Sequence, residues 1–184
     1  DASKLMVEHN LAHAAVAYGL RSLALRYFNA AGADASEEIG ESREPETHLI
    51  PNILKAALDK GGQLKIFGDD YATRDGTCVR DYVHVNDLAA AHLKAVEFMS
   101  THEGAHVFNL GNGQGFTVLE VIAAAERVMG TRIAFERAPR RPGDPPVLVA
   151  SSARAREQLG WSPVFTEMDG IIETACRWHR RPRY

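Results

Sequence analysis

Hydrophobic and polar positions follow two periods along these 184 residues. Apolar groups at Leu5, Met6, Ala12 and Val16 recur at helical spacing and predict a helix over residues 3–18, with Gly19 as its C-cap. Leu20 to Phe28 is rich in strand formers, and Asn29-Ala-Ala-Gly32 then reads as a small-residue loop where a ligand could approach the backbone. Five glutamates between Asp34 and Glu46 predict an exposed loop. An amphipathic helix is expected from His48 to Leu58, with Pro51 in its first turn and Gly61-Gly62 as its stop. Leu64 to Phe67 is a short strand, turned by Gly68-Asp69-Asp70.

The alternation Val79, Asp81, Val83, Val85 predicts a strand end at the edge of a core, with Asn86 or Asp87 capping a helix to about Met99. His106 to Leu110 reads as another strand, closed by Gly111-Asn-Gly113. Thr117-Val-Leu-Glu120 is a capping box for a helix that Gly130 ends. A strand at Ile133 to Glu136, a Pro-rich stretch at Ala138 to Pro146, a strand at Val147 to Ala150 and helices after Ser152 and Thr166 complete the pattern. Strands alternating with helices imply an α/β fold with a largely parallel sheet. No internal repeat and no linker divides the chain into independent domains. The short strands and Pro-rich loop after residue 130 read as a smaller α/β lobe.

Composition narrows the function. At 45% hydrophobic residues the chain can bury a core, and a net charge of -3 with a pI near 6.3 argues against a general nucleic-acid binder. The Arg-rich end, Arg177 to Arg183, reads as a solvated helix terminus. Cys78 and Cys176 form no CxxC pair, which fits a reducing compartment, and neither a membrane span nor a signal-peptide pattern is present. A cytoplasmic protein is the expectation. His9 and His13 lie one turn apart, but no HExxH glutamate accompanies them and no metal is expected.

Arg80 stands where a loop meets a strand and could present its guanidinium to a phosphate. The alternative on residue types alone is a surface pairing of Arg80 with Asp81. Asn29 can be a ligand-facing amide or a turn former, and Arg140-Arg141 alone reads as a solvated basic loop.

The run Asp70-Tyr71, Asp75-Gly76-Thr77, Val79-Arg80-Asp81-Tyr82 and Val83-His84-Val85 resembles the signature of UDP-glucose 4-epimerases, in the extended short-chain dehydrogenase/reductase superfamily. The resemblance covers nearly the whole chain, and its implications are specific. Ser3-Lys4 looks like the end of a Tyr-x-x-x-Lys element, in which Lys4 would bind the nicotinamide ribose and lower the pKa of a catalytic Tyr. That Tyr would fall just before Asp1, outside these residues. Phe28 would meet NAD through its backbone and Asn29 the nucleotide sugar, in a Tyr27-Phe28-Asn29 step. His48 and Leu49 match a substrate-backbone position. Lys65, Ile66 and Phe67 match the strand beside the uracil. In Arg140-Arg141-Pro142-Gly143-Asp144, Arg141 would join Arg80 on the diphosphate and Asp144 would accept from the ribose hydroxyls. Leu148 would set sugar size and, being intermediate in bulk, would admit some UDP-N-acetylglucosamine.

The Gly-rich dinucleotide loop and the acidic residue for the adenine ribose are absent from the sequence. The resemblance therefore implies the C-terminal part of such an enzyme: part of a Rossmann-type parallel-sheet domain plus a smaller α/β substrate-binding lobe. Approximately residues 1–33 and 77–111 would be the last elements of the NAD-binding domain, and approximately 34–76 and 112–184 the lobe. The implied activity is interconversion of UDP-glucose and UDP-galactose with NAD as cofactor. Its partners would be a UDP-sugar and, in the intact enzyme, a second copy in a homodimer, with neither nucleic acid nor membrane. The alternatives are another nucleotide-sugar epimerase or dehydratase of the superfamily, and a noncatalytic nucleotide-sugar-binding fragment.

Overall fold

A computed structural model describes residues 2–58 and 63–183. The expected stop at Gly61-Gly62 lies outside the described residues. Helix α1, Ala2–Tyr18, buries none of its residues and ends at Gly19, whose φ of 66° is the left-handed conformation of a helix stop. Strand β1 is Ser22–Arg26, shorter than expected, and the segment after it is not a loop. Asn29–Ala31 forms β2, which pairs in parallel with a strand at 82–84. Small residues read as a loop because β propensity chiefly measures side-chain packing on a sheet face, and this strand is held by backbone pairing instead.

Helix α2, Leu49–Ala57, buries Ile50, Pro51, Ile53 and Leu54. The chain entering it is fixed by the Glu46 carboxylate, which accepts from Thr47 N at 2.8 Å and His48 N at 2.7 Å, while the N-cap residue His48 makes no side-chain capping bond. Glu46 is thus an exception in the glutamate loop expected to be exposed, its side chain only 4% accessible. The same loop is pinned to the C-terminal helix where Trp178 Nε1 donates to Glu41 O at 2.9 Å.

Strand β3 is Leu64–Phe67. The expected strand at 79–85 is two, β4 at Val79–Arg80 and β5 at Tyr82–His84, separated by Asp81. Burial there is nearly continuous instead of alternating: from Thr77 to His84 only Arg80 is not buried. Strands covered on both faces lose the period-2 pattern, so this is core and not a core edge. Helix α3, Val85–Thr101, is capped by neither Asn86 nor Asp87 but by the His84 ring, whose Nδ1 accepts from Asn86 N at 3.1 Å.

Strand β6, Ala105–Asn109, pairs in parallel with β1. Strand β7, Phe116–Thr117, leads into α4, Val118–Met129, with the capping box at Thr117 and Glu120 in place and Gly130 left-handed at its end. Strand β8, Phe135–Ala138, two residues later than expected, pairs in parallel with β3. Strand β9, Val147–Leu148, lies parallel to β4 on the side opposite the antiparallel β7. Helices α5, Ala153–Leu159, and α6, Met168–Arg180, finish the chain.

Two hydrophobic clusters result. One joins α2, α4 and α6 around Ile53, Leu54, Val121, Ile171 and Ile172. The other packs Val83, Leu88, Phe108 and Leu110 against α5 and Trp161. The fold is mixed α/β with mainly parallel pairing, and among the described residues no helix is long and apolar enough to cross a membrane.

Candidate functional site

A cleft of about 730 Å³ opens where β2, β3, the start of α2 and the 141–144 turn converge. Ten expected residues line it: Phe28, Asn29, His48, Leu49, Lys65, Ile66, Phe67, Arg80, Arg141 and Asp144. Two do not. Lys4 is exposed on α1, and Leu148 lies in β9 in register with Arg80, outside the lining.

Each lining residue is placed by its element. Asn29 opens β2 and donates from Nδ2 to Asp81 O at 2.8 Å, so its amide is oriented and not a turn former. In β3 the pleat buries Leu64 and Ile66 and turns Lys65 outward. Asp144 N donates to Arg141 O at 3.2 Å across Pro142-Gly143, and Gly143 has φ 77°. Pro then a positive-φ Gly is the chemistry of a type II turn, and it sets Arg141 and Asp144 at the two ends of one tight reversal.

The charges are arranged in pairs. Arg80 is largely covered, its side chain 12% accessible; it donates to Val79 O at 2.7 Å and to the Asp144 carboxylate. The surface pairing of Arg80 with Asp81 does not form. Arg141 lies over the Phe67 ring at 4.0 Å, and Arg140 over the Tyr71 ring at 4.2 Å while donating to Asp70 at 2.6 Å. Burial pushes the Cys78 thiol and the Tyr82 phenol, both on the cleft, above their ordinary values. The Tyr71 hydroxyl is also raised, first by burial and then by the Asp144 charge, and among the described residues it has no hydrogen-bond partner.

Among the described residues one trio, Glu41, Glu46 and His48, has potential ligand atoms within 4.8 Å of one another. Hydrogen bonding already accounts for it. His48 Nε2 faces the Arg43 guanidinium at 3.1 Å, which leaves Nδ1 to donate to Glu41, and Glu46 accepts from the backbone N–H groups of Thr47 and His48.

Two buried carboxylates that tie distant segments together, one of them at the site, were not singled out by residue type. Asp81 is fully buried and accepts from Asn112 N at 2.8 Å, Gly113 N at 3.3 Å and Ala150 N at 3.1 Å. It thereby ties the β4–β5 junction to the turn after β6 and to the end of β9. The space is tight: a Cβ on Gly111 would come within 2.5 Å of Asp81 Oδ2. Asp87 accepts from Val164 N and Phe165 N at 2.9 and 3.0 Å. A signal for Asp81 existed in the alternation that put it on the same face as Val79 and Val83.

The chain is similar to known proteins in both sequence and fold. Residues 1–111 match the model of the NAD dependent epimerase/dehydratase family. A UDP-glucose 4-epimerase of Lacticaseibacillus casei is 50% identical over 177 residues, covering 96% of this chain and 54% of that protein. The structure of UDP-glucose 4-epimerase from Brucella ovis in complex with NAD superposes with a TM-score of 0.90 at 49% identity, over 95% of this chain and 54% of that one. The Bifidobacterium longum enzyme in complex with NAD+ and UDP gives 0.92 at 38% identity, over 98% and 54%. The chain thus spans about half the length of the curated relatives it matches, an extent that does not itself carry the C-terminal placement expected from the motifs. With its parallel strands, its cleft and most of its residues matched by that family model, the chain belongs to the NAD dependent epimerase/dehydratase family.

Proposed function

We propose that this chain is the nucleotide-sugar-binding part of a UDP-glucose 4-epimerase, which interconverts UDP-glucose and UDP-galactose. The observation that carries the proposal is the convergence of Asn29, the Lys65-Ile66-Phe67 strand, Arg80 and the Arg141–Asp144 turn on one cleft. Arg80 and Arg141 supply guanidinium donors for the diphosphate, and such charge-assisted bonds are worth about 1.5–3 kcal/mol each. Lys65, Ile66 and Phe67 offer backbone groups to the uracil, Asp144 accepts from the ribose hydroxyls, and Asn29, His48 and Leu49 face the sugar. Leu148 is proposed as the residue that sets sugar size, through β9 and not by lining the cleft.

The part of an NAD site that these residues would form fits the fold. Phe28 follows the carboxyl end of β1, a parallel strand, is 47% exposed and lines the cleft. Ligands of open parallel sheets sit at such ends. Phe28 and Lys4 would hold the cofactor; when bound, NAD supplies the reversible hydride exchange at the sugar C4. As the end of a Tyr-x-x-x-Lys element, Lys4 would also favour the ionised form of that element's Tyr, which would move the proton of the C4 hydroxyl. The assignment of residues 1–33 and 77–111 to the NAD-binding domain, and of 34–76 and 112–184 to a substrate lobe, belongs to the same proposal.

A homodimer and a cytoplasmic location complete it. Supporting the first, α1 exposes Leu5, Met6, Val7, Val16 and Tyr18; supporting the second, Cys78 and Cys176 are both free thiols. The test is a coupled assay of UDP-galactose to UDP-glucose conversion by the intact protein with NAD. Release of a dehydrated sugar nucleotide, or binding without turnover, would refute the epimerase assignment.

A further inference from the structure

Arg80 is aimed at the cleft, yet its guanidinium is already engaged by a carboxylate of the same chain. Asp144 reaches it from the 141–144 turn, and the pair is mostly shielded, with side chains 12% and 28% accessible. Apart from this carboxylate, the hydrogen bond shown for the guanidinium is to one backbone carbonyl, that of Val79. Asp144 therefore occupies a position that an incoming phosphate oxygen would take. We infer that Asp144 acts as an internal anion that competes with the ligand for Arg80, so that a bare phosphate or diphosphate is rejected and a nucleoside diphosphate is accepted.

The inference rests on the proposed diphosphate and ribose roles of Arg80 and Asp144. A diphosphate alone must displace a carboxylate that the fold holds at very high effective concentration. A nucleoside diphosphate displaces it too, but its ribose diol offers the released carboxylate two hydroxyl donors, which restore the hydrogen bonds that Asp144 gives up. Specificity then arises partly from a repulsive element, since the anion without the diol is left to oppose Asp144.

The surroundings permit the exchange. Gly143 has φ 77° and open space around its Cβ position, so the turn bearing Asp144 is not wedged. The Tyr71 hydroxyl, near enough to feel the Asp144 charge, is buried and among the described residues has no hydrogen-bond partner, leaving a donor toward which Asp144 can move. Arg141 lies over the Phe67 ring at 4.0 Å and among the described residues makes no ion pair with a carboxylate, so the competition falls on Arg80.

The experiment is calorimetric titration of inorganic pyrophosphate and of UDP into the intact protein, its Asp144→Asn variant, and Arg80→Ala with and without Asp144→Asn. Asp144→Asn is expected to tighten pyrophosphate binding about fivefold or more, the low end of ordinary coupling between sites, while UDP gains less or weakens. The gain must vanish in the Arg80→Ala background. Unchanged or weaker pyrophosphate binding in Asp144→Asn would overturn the inference and make Asp144 only a ribose acceptor or a support for Arg80. Asp144→Ser repeats the measurement should the Asn variant fail to fold. A parent protein that binds no UDP would instead sink the nucleotide-sugar assignment itself.

Discussion

Replacing Asp81 by Asn changes one buried atom and tests how the site is anchored. The carboxylate accepts three backbone N–H groups, one at Oδ1 from Asn112 and two at Oδ2 from Gly113 and Ala150, at 2.8, 3.3 and 3.1 Å. Asn keeps one oxygen. If that oxygen stays on Asn112, the new NH2 faces two N–H donors; if it turns to the other pair, Asn112 N loses its acceptor. Either way at least one charge-assisted bond of about 1.5–3 kcal/mol is lost and a buried donor is left unpaired. Removing the charge relieves some desolvation, which offsets part of the loss. The net expectation is a destabilisation of about 2–4 kcal/mol, a large fraction of the roughly 5–15 kcal/mol that holds a typical domain. Urea unfolding of parent and variant, followed by circular dichroism, measures it through the shift in midpoint at equal slope. Because Asn29 is oriented by the Asp81 carbonyl and Arg80 precedes it, UDP affinity should fall along with stability. A variant within about 0.5 kcal/mol of the parent would refute the idea that this carboxylate organises the junction, since that is the ordinary scatter of surface substitutions.

Further consequences can be measured in the same way. Thr117→Ala removes the acceptor for Glu120 N and the donor to Asp75, and should cost about 1–2 kcal/mol in urea unfolding. Gly76→Ala puts a Cβ 2.2 Å from Asp69 O at φ 84°, so it should lower the melting temperature more than Gly113→Ala, where φ is 82° but the space is open. Burial holds the His84 pKa below its ordinary 6.5, against the opposing charges of Asp87 and Asp34, so the unfolded chain binds more protons as pH falls. Stability should therefore decline from about pH 6.5 downward until the folded-state pKa is passed, with a shallower decline in His84→Asn. The apolar groups that α1 exposes should mediate self-association, so Val16→Glu should shift the protein to a smaller apparent size on gel filtration. Unchanged elution of that variant would contradict the proposed dimer face.

Most of the element order and the α/β class were legible in the chain because they rest on local physics. Thr117 and Glu120 satisfy each other's backbone within four residues, Gly19 and Gly130 end helices by adopting a left-handed φ, and Pro142-Gly143 forms its turn from its own dihedral preferences. Ten of the expected site residues reach one cleft, because the resemblance encoded a tertiary arrangement that periodicity alone does not contain. What only the folded chain decided are the contacts across it. β2 exists because residues 82–84 lie beside it, and α3 is capped by a His whose Nε2 bonds Thr174 Oγ1, 90 residues away, at 2.9 Å. The fate of the acidic residues was decided the same way. Asp81 and Asp87 are buried, Asp144 is set against Arg80, and Glu46 is turned onto the backbone that precedes α2, whereas composition treats each as surface charge. Burying a carboxylate is favourable only when donors converge on it, and here they come from segments up to 78 residues away, which no local pattern can announce.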